Sequence, residues 1–254
     1  MTSLNLELHP LDPALVAHLN LQCWPRLERL RLAHNTCSSK AIEDFVLGGS
    51  WPLLTDLDLS GVCLPEFGGV RVCEILGQGG STLTGLTRLC FRQNAVTSVG
   101  VKLLAKDRWD VLENLDLSWN PLLDAAAIAQ LVQGNFPNLR TLNLSYGLID
   151  AGAIHHLVRG AWSHLSHLYL QADYLEGCLD NSAVRGLLLG AWPLLQTLVL
   201  SARDVRAAAF LISGSRELYA GNLSSVWKPR SGHFPSQWPC LQSVSFEQYL
   251  CADF

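Results

Sequence analysis

One short phrase recurs along this chain and constrains its fold more than any other feature. It runs aromatic-x-x-Leu-x-x-Leu-x-Leu, and full copies, with small apolar variations, begin at Trp24, Trp51, Trp109, Phe136, Trp162, Trp192 and Trp238. A weaker copy covers residues 86–91, and a shortened one covers residues 1–6. A single unit of this kind cannot bury its own apolar side chains, so repeated units must stack and share one core. The sequence therefore predicts a solenoid.

The spacing of the copies is nearly constant. Between equivalent first positions (1, 27, 54, 86, 112, 139, 165, 195 and 241) the intervals are 26, 27, 32, 26, 27, 26, 30 and 46 residues. Five of the eight intervals are 26 or 27, which a random sequence does not produce. We expect about nine strand-bearing units in a single domain spanning 1–254, with an insertion near 213–237 that causes the longest interval.

Within each unit the spacing of the apolar residues changes from that of a strand to that of a helix. The Leu-x-Leu core alternates apolar and polar residues, as a strand with one buried face does. A turn follows, which carries an asparagine in three units (Asn35, Asn94 and Asn120). A helical stretch comes next; in 125–132, for example, the apolar residues recur at helical spacing and share one face.

Residues at the ends of the helical stretches are those that helix termini favour. N-cap acceptors are expected at Asp124, Asp150 and Asn181. Glycines stand just after helical stretches, where a left-handed residue often ends a helix; these are Gly48, Gly134, Gly160 and Gly190. Six of the eight tryptophans share the first position of the phrase, which indicates a buried structural row rather than a ligand site.

The pattern Leu-x-x-Leu-x-Leu-x-x-Asn, followed by a helix of about eight residues, resembles the leucine-rich-repeat family. Units of 26–27 residues are similar to its ribonuclease-inhibitor-like and cysteine-containing types. The resemblance implies an α/β horseshoe solenoid, with a parallel sheet on the concave face and helices on the convex face. Val62, Gly147, Asp173 and Arg203 replace the turn asparagine, so a continuous asparagine ladder is not expected. The family has many binding roles, so the resemblance specifies fold and not function.

Composition narrows the function classes. The formal net charge is −4, which provides no overall basic field for nucleic acid. The sequence has no uninterrupted apolar stretch of about 18 residues and no secretory signal, so we expect neither membrane insertion nor export. Its eight cysteines form no paired framework and are expected to be reduced thiols. These features predict an intracellular, cytoplasmic protein.

The sequence has no catalytic, cofactor-binding or metal-binding constellation above chance, so we expect a protein that is not an enzyme. The outward strand positions instead alternate in charge. One row reads Arg29, Asp56, Arg88, Asn114, and the next reads Arg31, Asp58, Cys90, Asp116. Neighbouring strands lie about 4.8 Å apart, so these charges can pair with each other or serve a partner.

Aromatic residues mark the best candidate contact patch. Trp119 and Tyr146 follow their strands at equivalent places, while His167 and Tyr169 project from the next strand. Such side chains are typical of interface hot spots, although Trp119 and Tyr146 would alternatively pack on each other to cover the turn. The insertion is either a second contact region or a passive loop. The other candidate contacts are Arg88, Arg92, Asp116, Trp227 and Arg230.

The leading functional hypothesis is a protein-binding scaffold or adaptor that uses the concave face and the insertion, with another protein as its partner. The alternatives are a structural subunit of a large assembly and a regulator of an enzyme such as a GTPase. The subunit hypothesis rests on the repeat ends: residues 1–6 begin inside a phrase, and the chain stops eight residues after the last one, at Phe254. Solenoid ends need caps, so we expect possible end-to-end contact with a neighbouring subunit.

Overall fold

The computed structural model describes residues 1–9, 13–21, 24–35, 40–42, 44, 51–62, 69–78, 83–106, 108–172, 179–201, 226–227 and 238–247. Its centre is one sheet in which every repeat phrase contributes a strand. The strands are β1 (Ser3–Asn5), β2 (Arg29–Arg31), β3 (Asp56–Asp58), β4 (Arg88–Cys90), β5 (Asn114–Asp116), β6 (Thr141–Asn143), β7 (His167–Leu170), β8 (Thr197–Ser201), β9 (Val226–Trp227) and β10 (Ser243–Glu247).

Nine of these strands are parallel and lie side by side in chain order. The order of the whole sheet is β1-β2-β3-β4-β5-β6-β7-β8-β10-β9. The second leucine of each phrase faces its counterpart in the next strand, as Leu30 faces Leu57 and Leu115 faces Leu142. Strand β9, which comes from the insertion, instead pairs antiparallel with β10, at Val226 and Trp227. The remaining positions between 213 and 237 lie outside the described residues.

Helices alternate with the strands. They are α1 (Pro13–Leu21), α2 (Val70–Gln78), α3 (Ser98–Leu104), α4 (Ala125–Val132), α5 (Ala151–Leu157) and α6 (Asn181–Leu187). Apolar residues of these helices and the leucines of the strands form one continuous buried cluster. The sheet therefore has one face covered by helices and one open face, which carries the polar alternates of the strands.

Helix starts are set by single side chains. Asp124 Oδ1 accepts a hydrogen bond from the Ala127 N–H at 2.9 Å, and Asp150 Oδ1 accepts one from Ala153 at 2.8 Å, as predicted. The expected N-cap at Asn181 is wrong. Asp180, one residue earlier, accepts from the Ala183 N–H at 2.7 Å, so Asn181 is already inside α6. The carboxylate of Asp180 has the same three-residue spacing to its donor as the other two caps.

The glycines that follow the helices do not have the expected left-handed conformation. Gly134, Gly160 and Gly190 all lack a positive φ, and Gly48 lies outside the described residues. They are needed for a different reason, because the aromatic residue two positions later packs on each of them. A Cβ at Gly160 would lie 2.6 Å from the ring of Trp162, and one at Gly190 would lie 2.6 Å from that of Trp192. Close packing of an indole on the backbone therefore excludes larger residues here.

The predicted structural row of aromatic residues is confirmed. Trp51, Trp109, Phe136, Trp162, Trp192 and Trp238 are buried, and Trp24 is half-buried. The N–H of the first leucine in each phrase donates to the carbonyl of the row residue three positions earlier, at 3.0–3.3 Å. In the weaker copy Leu83 takes the place of tryptophan and is also buried. The row thus forms the turn that leads from each helix into the next strand.

Two different side chains connect the turns that follow the strands. Asn120 is fully buried; its amide donates to the carbonyls of Phe91 and Leu117, and its oxygen accepts from the N–H of Asn94 at 2.9 Å. Beyond this unit Gly147 stands at the asparagine position, and serines two residues earlier in the turn, at the place of Ser118, make the connection instead. Ser145 Oγ accepts from Gln171 at 3.1 Å, and Ser201 Oγ accepts from Ala172 at 3.1 Å. The asparagine ladder is therefore interrupted, as predicted, and a serine ladder continues it.

These registers and alternating helices define an α/β solenoid with leucine-rich-repeat-like units, which confirms the predicted fold class. No helix in the described part of the chain is long and apolar enough to span a membrane.

Candidate functional site

The open face of the sheet consists of two rows of outward side chains. Strand pairing aligns the first row as Ser3, Arg29, Asp56, Arg88, Asn114, Thr141, His167, Thr197 and Ser243. The second row is Asn5, Arg31, Asp58, Cys90, Asp116, Asn143, Tyr169, Val199 and Ser245. The predicted alternation of charge across β2 to β5 is therefore confirmed.

Pairing of these charges with each other is limited to one contact. Arg88 Nε lies 3.8 Å from Asp56 Oδ1, in a pair whose arginine is 57% exposed. Within the described ranges, Arg29, Arg31 and Arg92 have no carboxylate within ion-pair distance, and all three are exposed. An exposed pair of this kind contributes little, about 0–1 kcal/mol. The arginines of the open face are thus mostly available to solvent.

Two carboxylates of this face, those of Asp58 and Asp116, accept hydrogen bonds from backbone N–H groups of their own turns. Asp58 Oδ1 accepts a hydrogen bond from the Ser60 N–H at 3.0 Å, and Asp116 Oδ1 accepts one from Ser118 at 2.9 Å. Asp116 Oδ2 also accepts from Asn143 Nδ2 at 3.3 Å. Both aspartates are half-buried. Their position two residues before the turn makes them part of the turn structure, which the sequence reading did not identify.

Cys90 lies in the second row between Asp58 and Asp116, and it is buried, with 7% of its surface exposed. Its Sγ is 3.2 Å from Ser60 Oγ. Burial is the main cause that raises the pKa of the Cys90 thiol, to about 11; the hydrogen bond with Ser60 opposes it, the Asp58 and Asp116 carboxylates add to it, and Arg92 opposes it least. The thiol is therefore protonated at neutral pH and is a poor nucleophile.

Trp119 and Tyr146 form a stacked pair at the edge of the sheet where the strands end. Their ring centroids are 4.1 Å apart, with an interplanar angle of 24°, and Trp119 remains 39% exposed. The interpretation that they pack on each other is confirmed. Because Trp119 keeps a large exposed surface, the same pair also presents an aromatic platform to solvent.

The backbone at this pair is left-handed. Trp119 has φ 59° and Tyr146 has φ 63°, and the equivalent residues of four other units, Leu8, His34, Gly61 and Gln93, have φ between 56° and 62°. Each donates its N–H to a carbonyl of the next unit, as Trp119 does to Ser145 at 2.8 Å. Glycine is the residue that adopts this conformation without strain. A bulky aromatic residue at this position is therefore costly for the backbone.

His167 and Tyr169 lie on β7, in the first and second rows respectively, and both are half-buried. His167 Nδ1 lies 2.8 Å from Ser166 Oγ. The structure joins Trp119 and Tyr146 directly, whereas His167 and Tyr169 belong to the strand that follows the Tyr146 unit. The four residues therefore lie on consecutive units without forming one ring cluster.

Two exposed leucines, which sequence reasoning missed, follow the aromatic residues closely in the sequence. Leu122 is 51% exposed and Leu148 is 48% exposed, each in the loop that follows the left-handed residue of its unit. The signal was present in the sequence, because each precedes the apolar residue that the core requires, Leu123 or Ile149. The leucine that precedes the core residue in each loop is not part of the core and remains exposed.

The insertion contributes less to the described site. Trp227 lies in β9 at the edge of the sheet, its side chain is outside the described part, and Arg230 lies wholly outside it. In the part of the chain that the structure describes, no group of three or more His, Cys, Asp or Glu side chains is arranged to hold a metal ion.

Comparisons with known proteins identify no family. No family model matches the chain, and no curated protein is detectably similar to it. Among solved structures, one that resembles it is the crystal structure of a TLR13–ssRNA13 complex, with 19% sequence identity and a TM-score of 0.34. The match covers 79% of this chain and 34% of that one, so the chain spans about a third of the length of that protein. The fold assignment rests on the strand registers described above.

Proposed function

We propose that the protein is a non-catalytic scaffold or adaptor that binds another protein through the open face of its sheet. The observation that carries the proposal is the stacked pair of Trp119 and Tyr146, held on left-handed backbone and still partly exposed. The proposed contacts further include His167, Tyr169, Arg88, Arg92 and Asp116, with Trp227 and Arg230 of the insertion.

The energetics of the aromatic pair leave its exposed surface without a role in folding. A left-handed non-glycine residue costs about 1–2 kcal/mol, and Gly61 at the equivalent position demonstrates that the repeat accepts a residue without a side chain. Stacking returns only about 0.5–1.5 kcal/mol for the pair. Leu8, His34 and Gln93 bear the same strain, so what sets the pair apart is that Trp119 keeps 39% of its surface exposed after stacking, and recognition of a partner is the better explanation for that exposed ring. Aromatic residues of this kind are enriched among the contacts that dominate binding energy.

Paired variants test the proposal. The immobilised protein is used to capture partners from its native source, in wild-type form and as Trp119→Gly and Tyr169→Ala. Leu189→Ala is the matched control, because Leu189 is an exposed apolar residue, 74% exposed, that follows α6 on the helix side. We expect a defined protein on the wild type and on the control that is lost or strongly reduced on both patch variants, all of which melt like the wild type within a few degrees.

The opposite pattern would overturn the proposal. If the same protein binds equally well to Trp119→Gly, Tyr169→Ala and the wild type, the open face is not the binding surface. A partner that is lost only when the protein is unfolded by the substitution would leave the aromatic pair with a stabilising role.

We prefer this function to a subunit held through its repeat ends because β9 occupies part of the sheet edge beside β10, where end-to-end stacking would require a free strand. No described residue supports the other alternative, that the protein regulates an enzyme such as a GTPase.

The interval of 26–27 residues and the α-helices support the ribonuclease-inhibitor-like type of repeat. We further propose that residues 1–254 form one domain of an intracellular protein.

A further inference from the structure

We propose that the open face across β2 to β4 binds an acidic segment of the partner protein, through Arg29, Arg31, Arg88 and Arg92. This inference rests on the proposed protein-binding function and names the chemistry that part of the surface recognises. It concerns a different part of the open face from the aromatic pair.

The arginines are available, and one of the two neighbouring carboxylates is held by its own turn. Arg29, Arg31 and Arg92 are exposed and, within the described ranges, have no ion-pair partner, while Arg88 has only the 3.8 Å contact with Asp56. Asp58 accepts the Ser60 N–H at 3.0 Å, in a hydrogen bond that fixes its carboxylate against the backbone. Across these three strands four guanidinium groups therefore face two carboxylates, one of which the turn already uses. A guanidinium binds a carboxylate with paired, charge-assisted hydrogen bonds.

The positions of the arginines define a spacing for the ligand. Strand pairing aligns Arg29 on β2 with Arg88 on β4, two strand spacings apart, about 9.6 Å, while Arg92 lies two residues beyond the level of Arg31. A polyproline II segment advances about 9.3 Å in three residues and repeats its side-chain direction with the same period. Acidic residues at every third position of such a segment would therefore meet β2 and β4 in turn.

The strand between the two pairs argues for a peptide rather than a nucleic acid. Asp56 lies on β3 directly between Arg29 and Arg88, and Asp58 lies between Arg31 and Cys90. A strand of closely spaced phosphates would pass over these carboxylates and be repelled by them. A peptide with neutral residues between its carboxylates passes over β3 without that penalty.

A synthetic probe tests this pattern. It is a fluorescein-labelled peptide of twelve residues with glutamate at every third position and proline elsewhere, and its binding is followed by fluorescence anisotropy at low ionic strength. We expect saturable binding to the full chain and dissociation at high salt, since the contacts are exposed charges. The double variant Arg29→Gln/Arg88→Gln, which removes the aligned pair, should bind about tenfold more weakly.

Matched controls exclude trivial causes. Lys102 in α3 and Arg159 after α5 are exposed cations on the helix side, so Lys102→Gln/Arg159→Gln changes net charge equally and should keep wild-type affinity. A peptide with its four glutamates in one block, or with lysine replacing glutamate, should bind less tightly. The melting temperature of each variant verifies that it is folded.

Three results would overturn the proposal: no binding of the spaced acidic peptide, equal affinity for the wild type and the open-face double variant, or tighter binding of a twelve-nucleotide thymidine strand. The last would assign the arginines to phosphate recognition. If the peptide fails while Trp119→Gly still loses the captured partner, the inference falls and the proposed scaffold function stands.

Discussion

The two halves of the sheet share one framework but present different surfaces. In β2 to β5 the turns after the strands are joined by Asn94 and Asn120, and the open face carries arginines and aspartates. In β6 to β8 serine joins the turns, and the two outward rows hold only threonine, asparagine, histidine, tyrosine and valine. The buried leucines keep the same register throughout.

This difference separates what stacking requires from what is free to vary. Stacking requires an apolar residue at the buried strand positions and an acceptor for the N–H of a neighbouring turn. Either an asparagine or a serine satisfies the second requirement, although asparagine makes more hydrogen bonds. Most side chains of the outward rows are not part of the core, so their composition is free to differ between the charged half and the half that carries His167 and Tyr169.

The largest decrease in the free energy of unfolding is expected in the asparagine ladder, at Asn120. Replacement of Asn120 by alanine removes hydrogen bonds to the carbonyls of Phe91 and Leu117 and from two backbone N–H groups, all in a fully buried site. We expect the free energy of unfolding to fall by about 3–5 kcal/mol, because several buried polar groups lose their partners. Urea denaturation measures it. A loss near 1 kcal/mol would mean that the two ladders are equivalent.

A pH dependence of the free energy of unfolding, of intermediate size, is expected from Cys90, in the half of the sheet that carries the charges. The pKa of Cys90 is raised from 9.0 to about 11 in the folded state, so the thiol keeps its proton at a pH where the unfolded chain loses it. Its contribution is fully present below pH 9 and is lost as the pH rises to about 11, with a decrease of about 2–3 kcal/mol. Unfolding free energies of the wild type and Cys90→Ser are compared from pH 8 to 11; parallel curves would contradict the expectation.

A smaller effect is expected in the serine ladder. Ser145→Ala removes the one acceptor of the Gln171 N–H, at 3.1 Å, in a site where the serine is 1% exposed. The free energy of unfolding should fall by about 1 kcal/mol, as for a single neutral hydrogen bond. Calorimetry or urea denaturation of this variant and of Asn120→Ala gives the ratio of the two losses in unfolding free energy. A loss as large as that of Asn120→Ala would show that serine carries equal weight.

The smallest effect concerns the one ion pair of the open face. Arg88→Gln breaks the 3.8 Å contact with Asp56, whose arginine is 57% exposed, and should change stability by no more than about 0.5 kcal/mol. The difference should disappear in 1 M salt, where exposed charges are screened. A loss above about 1 kcal/mol would indicate that pairing within the face, and not a partner, accounts for its charges.

The framework was accessible from the sequence because it depends on local periodicity. The spacing of Leu30, Leu57 and their counterparts predicted the strands, and the Asp124 and Asp150 caps followed from their position before a helical stretch. The expectations for Asn181 and Gly190 failed. Which of two adjacent cap residues is used, and which ring packs on a glycine, depends on contacts that a one-residue shift changes.

The candidate site was accessible only in part. Trp119 and Tyr146 stood out as aromatic residues at equivalent places, but their left-handed backbone and the exposed Leu122 and Leu148 required coordinates. The use of Asp58 and Asp116 by their own turns was equally hidden. These features arise between units, where distance and direction matter more than spacing along the chain.

The sequence alone determined the repeating unit, the alternation of strand and helix and the rows that the strands present, because each follows from the period of apolar residues. Only the tertiary structure decided which charges remain unpaired, which rings stack and which thiol is buried. Those properties depend on the register and burial of neighbouring units, since stacking places residues about 26 positions apart within hydrogen-bond distance of each other.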